Sequence, residues 1–151
     1  WSPRRILVPL DGSATAEHVL DILAAVPGLR STPIVLVSAL VPSTLLGIVP
    51  PDVMVDDATS DVDLVAMRAE LATVAEACVA RGLARPAVHV ALGAARDVIL
   101  DALSDHDADL IAMTTRGRSG LARAVLGSTA DAIVRVSPVP VLLVTPGDRP
   151  A

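Results

Sequence analysis

Glycine and arginine are concentrated in one segment of the chain, 113–129, which reads Met-Thr-Thr-Arg-Gly-Arg-Ser-Gly-Leu-Ala-Arg-Ala-Val-Leu-Gly-Ser-Thr. The segment follows an apolar run that stops at Thr114. Glycine lets backbone N–H groups converge on an anion, because it tolerates positive φ and has no side chain to block the approach. Gly117 and Gly127 are therefore candidates for holding a phosphate group.

Two further features of this segment favour an anion. Arg116 and Arg118 add positive charge in a chain whose formal net charge is −5. Ser128 and Thr129 open a helical pattern, and the first N–H groups and the dipole of a helix attract negative charge. The alternative is an ordinary surface loop. In that case the arginines increase solubility, the glycines allow the chain to turn, and Ser128 is only the N-cap of the helix.

A carboxylate follows the first apolar run of the chain. Ile6-Leu7-Val8 has the profile of a buried parallel strand, and residues 10–13 after it form a turn pattern. Asp11 in this turn could bind the hydroxyl groups of a ligand. Alternatively, it caps the helix that follows, for which Thr15 is another candidate cap.

Strand and helix patterns alternate along the chain and would position these residues. Strand patterns lie at 6–8, 34–37, 86–92, 110–113 and 140–145, and helix patterns lie at 19–26, 61–81, 95–103 and 130–136. This alternation predicts an α/β fold with an open parallel sheet and helices on both faces. Ligands of such sheets bind at the carboxyl ends of the strands, where the strand order reverses. If strands one and four are neighbours, Asp11 lies beside the glycine segment, as in a nucleotide site.

The segment 40–60 shows no regular pattern, because prolines and a glycine interrupt its apolar residues. Irregular segments of this length usually serve as lids or contact surfaces. Its apolar content favours packing onto a ligand or a partner chain.

Composition excludes several classes of function. The 151 residues, 52% hydrophobic and 19% charged, predict a single globular domain over 1–151. The negative net charge argues against a nucleic-acid partner. All twelve basic residues are arginine, which excludes mechanisms that need a lysine. The single Cys78 fits a reducing compartment, and we expect a cytoplasmic protein, since neither a signal-peptide pattern nor an apolar run of ~20 residues is present.

Three fragments together resemble the universal stress protein A family, over essentially the whole chain. They are 6–13, 108–113 and 138–144. The ATP-binding branch of that family carries glycine, two residues, glycine, nine residues, then Gly-Ser or Gly-Thr. Gly117 and Gly127-Ser128 match the second half of this motif, whereas its first glycine corresponds to Thr114.

The resemblance implies a fold, a ligand and an assembly. The fold is a Rossmann-like sheet of the adenine nucleotide alpha hydrolase type, with five parallel strands in the order 3-2-1-4-5. Pro9 and Asp11 would lie by the adenine and ribose, and Ala39 would line the pocket for the base. The glycine segment with Thr114, Ser128 and Thr129 would hold the phosphates. Family members commonly form homodimers through the last strand, which here comprises Val141, Leu142, Leu143 and Val144.

The function predicted from these observations is a stress-response module that binds an adenine nucleotide, ATP or else AMP or ADP, and switches conformation. Mg²⁺ or Mn²⁺ could accompany the phosphates, although we expect no metal held by protein ligands. No general base is recognisable, so we predict a binding protein rather than an enzyme. One alternative is a stress-protein dimer that binds no nucleotide and acts through protein contacts. A PP-loop ligase lacks its Ser-Gly-Gly-x-Asp-Ser loop here, and a flavodoxin-like domain lacks aromatic residues for flavin.

Overall fold

The computed structural model describes residues 1–41, 57–115 and 126–145 of the chain. The predictions for most of the segment 40–60, and those for Arg116, Gly117 and Arg118, lie outside these residues. Strands and helices alternate within the described ranges. In chain order they are β1 (Ile6–Pro9), α1 (Ala14–Ala25), β2 (Ile34–Leu40), α2 (Asp57–Ala80), β3 (Ala87–Leu92), α3 (Ala95–Asp105), β4 (Leu110–Thr114), α4 (Ser128–Val136) and β5 (Val141–Val144).

The five strands form one parallel sheet in the order β3-β2-β1-β4-β5, which confirms the predicted topology. β1 lies at the centre, where Ile6 is in register with Ile34 of β2 on one side and with Leu110 of β4 on the other. The chain first builds the sheet outward from β1 to β3 and then returns to place β4 on the opposite side. The strand order therefore reverses between β1 and β4, where a ligand cleft is expected in such sheets.

Each face of the sheet is covered by a pair of helices, because side chains alternate between the two faces of a strand. Ile6 and Val8 point to the face that α1 and α2 cover, whereas Leu7 points to the face that α3 and α4 cover. All three side chains are fully buried. Burying an aliphatic side chain of this size stabilises the fold by roughly 1.5–3 kcal/mol, so β1 anchors both cores.

Cys78 of α2 lies in the first of these cores. Its side chain is fully buried, and this burial raises the pKa of the thiol to about 11. Burial of this kind makes a thiol a poor nucleophile, which agrees with a packing role for Cys78.

Three local details differ from the sequence predictions. Helix α2 begins at Asp57 rather than at Asp61, so the expectation of irregular structure is wrong for 57–60. Helix α1 is capped by Ser13, whose hydroxyl accepts a hydrogen bond from the amide of Ala16, and not by Thr15. The N-cap of α4 is Gly127 rather than Ser128. A polar first turn gives no apolar periodicity, so helix starts are poorly marked in the sequence.

None of the helices in the described ranges is both long enough and apolar enough to cross a membrane.

Candidate functional site

A cleft of about 520 Å³ opens at the carboxyl ends of β1, β2 and β4. Its position is the crossover point at which the strand order reverses. Seven of the ten residues predicted to bind a ligand line this cleft: Pro9, Asp11, Ala39, Thr114, Gly127, Ser128 and Thr129. The fold therefore brings the turn after β1 and the start of α4 to one place, as expected if β1 and β4 are neighbours. The other three predicted residues, Arg116, Gly117 and Arg118, lie between the described residues 115 and 126.

Much of the cleft wall is apolar. Besides Pro9 and Ala39, it includes Met67 of α2, Ile99 of α3 and Met113 of β4. The last three were not among the predicted site residues, because apolar residues on a helix or strand look alike in a sequence whether they face a core or a cleft. Clefts for small molecules are mostly lined by such side chains, which suits a flat heterocyclic base.

The turn after β1 holds Asp11 at the edge of the cleft. The Oδ1 atom of Asp11 accepts hydrogen bonds from the backbone amide of Ser13 at 3.0 Å and from its hydroxyl at 2.6 Å. Gly12 between them has a φ of +78°, a conformation that glycine adopts without steric cost. The alternative interpretation of Asp11 is therefore correct in part, since its carboxylate stabilises the turn that leads into α1. The same residue lines the cleft, and its binding of ligand hydroxyl groups stays a prediction.

A hydrogen bond joins Thr115, just after β4, to Gly127, just before α4. The backbone amide of Gly127 donates to the carbonyl oxygen of Thr115 at 2.8 Å. The amide of Gly127 is therefore engaged within the protein, and an anion at this end of the cleft would meet the amides that follow it. The phosphate-binding role of Gly127 stays a prediction, with its position at the cleft established.

Helix α4 presents its N-terminus to the cleft. Ser128, Thr129 and Ala130 form its first turn and line the cleft, and no residue in the described ranges accepts a hydrogen bond from their three backbone amides. The first intrahelical bond runs from Asp131 to Gly127, and glycine as N-cap supplies no side-chain acceptor. Helix α1 differs, because Ser13 caps it. An uncapped N-terminus combines N–H donors with the positive end of the helix dipole and suits an anion.

The carboxylate in the first turn of α4 is paired with a cation. Arg135 donates from Nε to Asp131 Oδ2 at 2.8 Å, and this side-chain hydrogen bond holds the pKa of Asp131 below its ordinary value. Asp131 thus stays ionised, with its charge offset by an arginine one turn along the helix.

The acidic segment 105–109 superficially offers metal ligands, but two of its side chains, His106 and Asp109, have other partners. The carboxylate of Asp109 accepts hydrogen bonds from the backbone amides of Arg4 and Arg5. His106 Nε2 lies 3.1 Å from His89 Nδ1. Among the residues that the structure describes, no three His, Cys, Asp or Glu side chains converge to hold a metal ion. Mg²⁺ or Mn²⁺ carried by a bound phosphate stays a prediction.

A family profile matches residues 3–145, described as the universal stress protein family. The chain belongs to the universal stress protein family. The match extends from before β1 to just after β5 and so includes the described parts of the cleft. No curated protein sequence matched the chain.

Solved structures give the same fold at low identity. The hypothetical protein PH0823 is 22% identical with a TM-score of 0.78, over 98% of this chain and 99% of that protein. A universal stress protein in complex with cAMP is 19% identical with a TM-score of 0.62, over 95% and 98% of the two chains. A universal stress protein family protein from Arabidopsis thaliana with AMP bound is 15% identical with a TM-score of 0.63, over 95% and 92%. These likenesses establish the α/β fold of the family.

Proposed function

We propose that the cleft binds an adenine nucleotide and that the protein is a cytoplasmic, nucleotide-dependent switch in stress adaptation. One observation carries the proposal. The uncapped N-terminus of α4 and the carboxylate of Asp11 face the same cleft, from opposite sides of the point where the strand order reverses. An acceptor for sugar hydroxyls and a set of donors for phosphate thereby border one cleft, which supports a nucleotide as its ligand.

The three parts of a nucleotide each have a matching surface. The base would lie against Pro9, Ala39 and the apolar wall, where burial of its faces is favourable. The ribose hydroxyls would donate to Asp11. The phosphate would accept hydrogen bonds from the amides of Ser128 and Thr129, which are stronger than neutral ones because the acceptor is charged. A volume of about 520 Å³ lies within the usual range for such ligands.

Relatives of the same fold support an adenine nucleotide as the ligand, since one is in complex with cAMP and another has AMP bound. We propose ATP as the preferred ligand, with AMP and ADP as alternatives, because the resemblance of 117–128 is to the ATP-binding branch. Mg²⁺ or Mn²⁺ would be bound through the phosphates rather than through a dedicated protein site.

We propose that binding, rather than catalysis, transmits the signal. The amide of Gly127 and the carbonyl of Thr115 join the two ends of the loop 116–125, and Gly127 adjoins the first amides of α4. A phosphate seated on those amides would therefore set the conformation of this loop. The loop then changes the surface that a dimer, formed through β5, offers to its partners. The proposal assigns no residue to hydrolysis.

A charge placed at the N-cap of α4 tests the phosphate half of the site. Gly127 has φ −61° and ψ 152°, which any residue adopts, and aspartate is a preferred N-cap. Gly127→Asp is therefore expected to keep the fold while its carboxylate occupies the amides and repels phosphate. We expect adenosine to bind the variant as it binds the wild type, and AMP and ATP to lose at least about tenfold in affinity by calorimetry.

Gly127→Ala is the matched control, because it adds a Cβ without a cap or a charge, and it should bind AMP like the wild type.

A ligand at about one hundred times its dissociation constant adds roughly 2.7 kcal/mol of stability, which thermal unfolding detects. If millimolar ATP and AMP leave the unfolding temperature of the wild type unchanged, the proposed function is wrong. The protein would then act through protein contacts without a nucleotide.

A further inference from the structure

Ser38 is a buried polar residue near the end of β2, with 3% of its surface exposed. Its hydroxyl donates a hydrogen bond to the backbone carbonyl of Leu10, at 2.9 Å. The two residues are far apart in the sequence, and Leu10 immediately precedes Asp11. The hydroxyl of Ser38, an almost fully buried residue that also lines the cleft, thus connects β2 to the turn that carries Asp11.

Leu10 lies one residue beyond β1 and is fixed by β2 at both of its backbone groups. Its amide donates to the carbonyl of Val37 at 2.8 Å, which continues the parallel ladder, and its carbonyl accepts from Ser38. Its side chain is buried in the core between the sheet and α1. The backbone plane that joins Leu10 to Asp11 is therefore held from one side by β2.

The other end of the same turn is held by α1. The hydroxyl of Ser13 donates to Asp11 and accepts from the amide of Ala16 in the first turn of the helix. Asp11 and Gly12 are exposed residues between two anchors, one at Leu10 and one at Ser13. Rotation of the Leu10–Asp11 peptide would carry the carboxylate away from its position at the cleft edge.

We propose that Ser38 is a positioning residue for ribose recognition: by holding the Leu10 carbonyl, it sets the carboxylate of Asp11 to accept the ribose hydroxyls and so makes the cleft prefer ribonucleotides to deoxyribonucleotides. This inference rests on the proposed nucleotide function. Loss of the Ser38 hydroxyl leaves a buried carbonyl without that donor, and a buried carbonyl that lacks a partner is unfavourable enough to shift the turn. Hydrogen bonds weaken steeply with misalignment, so a small shift at Asp11 is sufficient.

The test compares AMP with 2′-deoxy-AMP and 3′-deoxy-AMP by calorimetry. For the wild type we expect at least one deoxynucleotide to bind about tenfold more weakly than AMP, because it lacks a hydrogen bond to a charged acceptor. In Ser38→Ala the ratio of the affinity for AMP to the affinity for that deoxynucleotide should fall to near one. The affinity for the deoxynucleotide itself should change by less than about twofold. Asp11→Ala should lower the ratio equally, and the double variant should lower it no further, since the two residues act through one hydrogen bond.

Ser38→Thr keeps the hydroxyl and is expected to keep the affinity ratio of the wild type. Ser38→Cys keeps the size of the side chain but has a weaker donor, so its affinity ratio should be intermediate. Ser38→Cys also replaces Ser38→Ala as the decisive variant if the alanine protein does not fold. A ratio in Ser38→Ala that equals that of the wild type would overturn the inference. An equal loss of affinity for all three ligands would do so too, because it would indicate a general structural role. A wild type that binds AMP without ribose preference refutes the inference alone, whereas a wild type that binds none of the ligands refutes the proposed function.

Discussion

Asp109, just before β4, is hydrogen-bonded to the residues that precede β1. Its carboxylate accepts hydrogen bonds from the backbone amides of Arg4 and Arg5 and from Nε of Arg4, the last at 3.1 Å. Its own amide donates to the carbonyl of Arg5. The backbone hydrogen bond from Arg5 is the largest cause that holds the pKa of Asp109 below its ordinary value.

The acid stability of the protein should depend on Asp109. Because its pKa is lower in the folded state than in the unfolded chain, it contributes stability above the unfolded value near 4, and this contribution disappears as the pH falls through the folded pKa. We expect Asp109→Asn to be less stable than the wild type at pH 7 and to lose less stability between pH 5 and pH 2.5. Urea unfolding over this range measures the difference. Asp101→Asn, an exposed residue of α3, is the control, and equal pH profiles for both variants would contradict the assignment.

Single residues of the site were predictable from the sequence where they combine a polar side chain with a position just after an apolar run. Asp11 and Thr114 meet this condition, and both line the cleft. Ser38 does not, because it lies inside a run of apolar strand residues, and its partner Leu10 is revealed only when β1 and β2 are paired. Its importance therefore follows from tertiary structure, which a pattern along one strand does not contain.

At the scale of the element, α4 differs from α1 in how it begins. Both helices start at the carboxyl end of a strand beside the cleft, yet Ser13 caps α1 and Gly127 leaves α4 without a side-chain cap. A serine, threonine, asparagine or aspartate at an N-cap stabilises a helix by about 0.5–2 kcal/mol over alanine. Glycine at this position costs only a few tenths of a kcal/mol relative to those residues, and it leaves the first amides of α4 available to a bound anion.

Removal of one amide from α4 tests this interpretation. Proline is favoured at the first helical position, where Ser128 lies, and the extended backbone of Gly127 suits a residue before proline. We expect Ser128→Pro to keep the helix and to weaken AMP binding by about 1.5–3 kcal/mol, the range of a hydrogen bond to a charged group. Ser128→Ala removes the hydroxyl and keeps the amide, so the difference between the two variants isolates the amide. Equal affinities for AMP in these two variants would exclude the amide as a phosphate ligand.

Helix starts were the least predictable part of the elements. The first turn of α2, 57–60, is Asp-Ala-Thr-Ser and carries no apolar stripe, so the pattern becomes visible only from Asp61 onward. The strands were easier, because β1 and β4 are buried on both faces and therefore read as continuous apolar runs. Alternation of the two patterns predicted parallel pairing, and the order of the strands came from the family resemblance.

At the scale of the whole molecule, β5 is the last strand on its side of the sheet, and no strand in the described parts of the chain pairs with its outer edge. Val141, Leu142 and Leu143 are half-buried on this edge, which is the surface proposed for the homodimer. Ile111 of β4 donates to the carbonyl of Pro140 and is in register with Val141. In a parallel ladder this register points the amide of Val141 away from β4, toward the outer edge of the sheet.

A proline at Val141 should separate the two subunits without unfolding either. Proline is tolerated at the first residue of an edge strand, and it removes the outward amide once from each subunit. Loss of two hydrogen bonds would weaken the dimer by roughly 1–3 kcal/mol. Light scattering across a dilution series measures this, with Val141→Ala as the control that keeps the amide. A wild type that is monomeric at every concentration would show that β5 is not a dimer interface.

The pairing of β1 with β4 has a consequence for how the protein acquires its activity. These strands adjoin at the centre of the sheet, although Ile6 and Leu110 are far apart in the sequence. Pairing of such distant segments closes a long loop and comes late in folding relative to local contacts. The cleft lies across this pair, so a ribosome must release nearly the whole domain before any ligand can be held. Only a domain whose synthesis is nearly complete would therefore bind the proposed ligand.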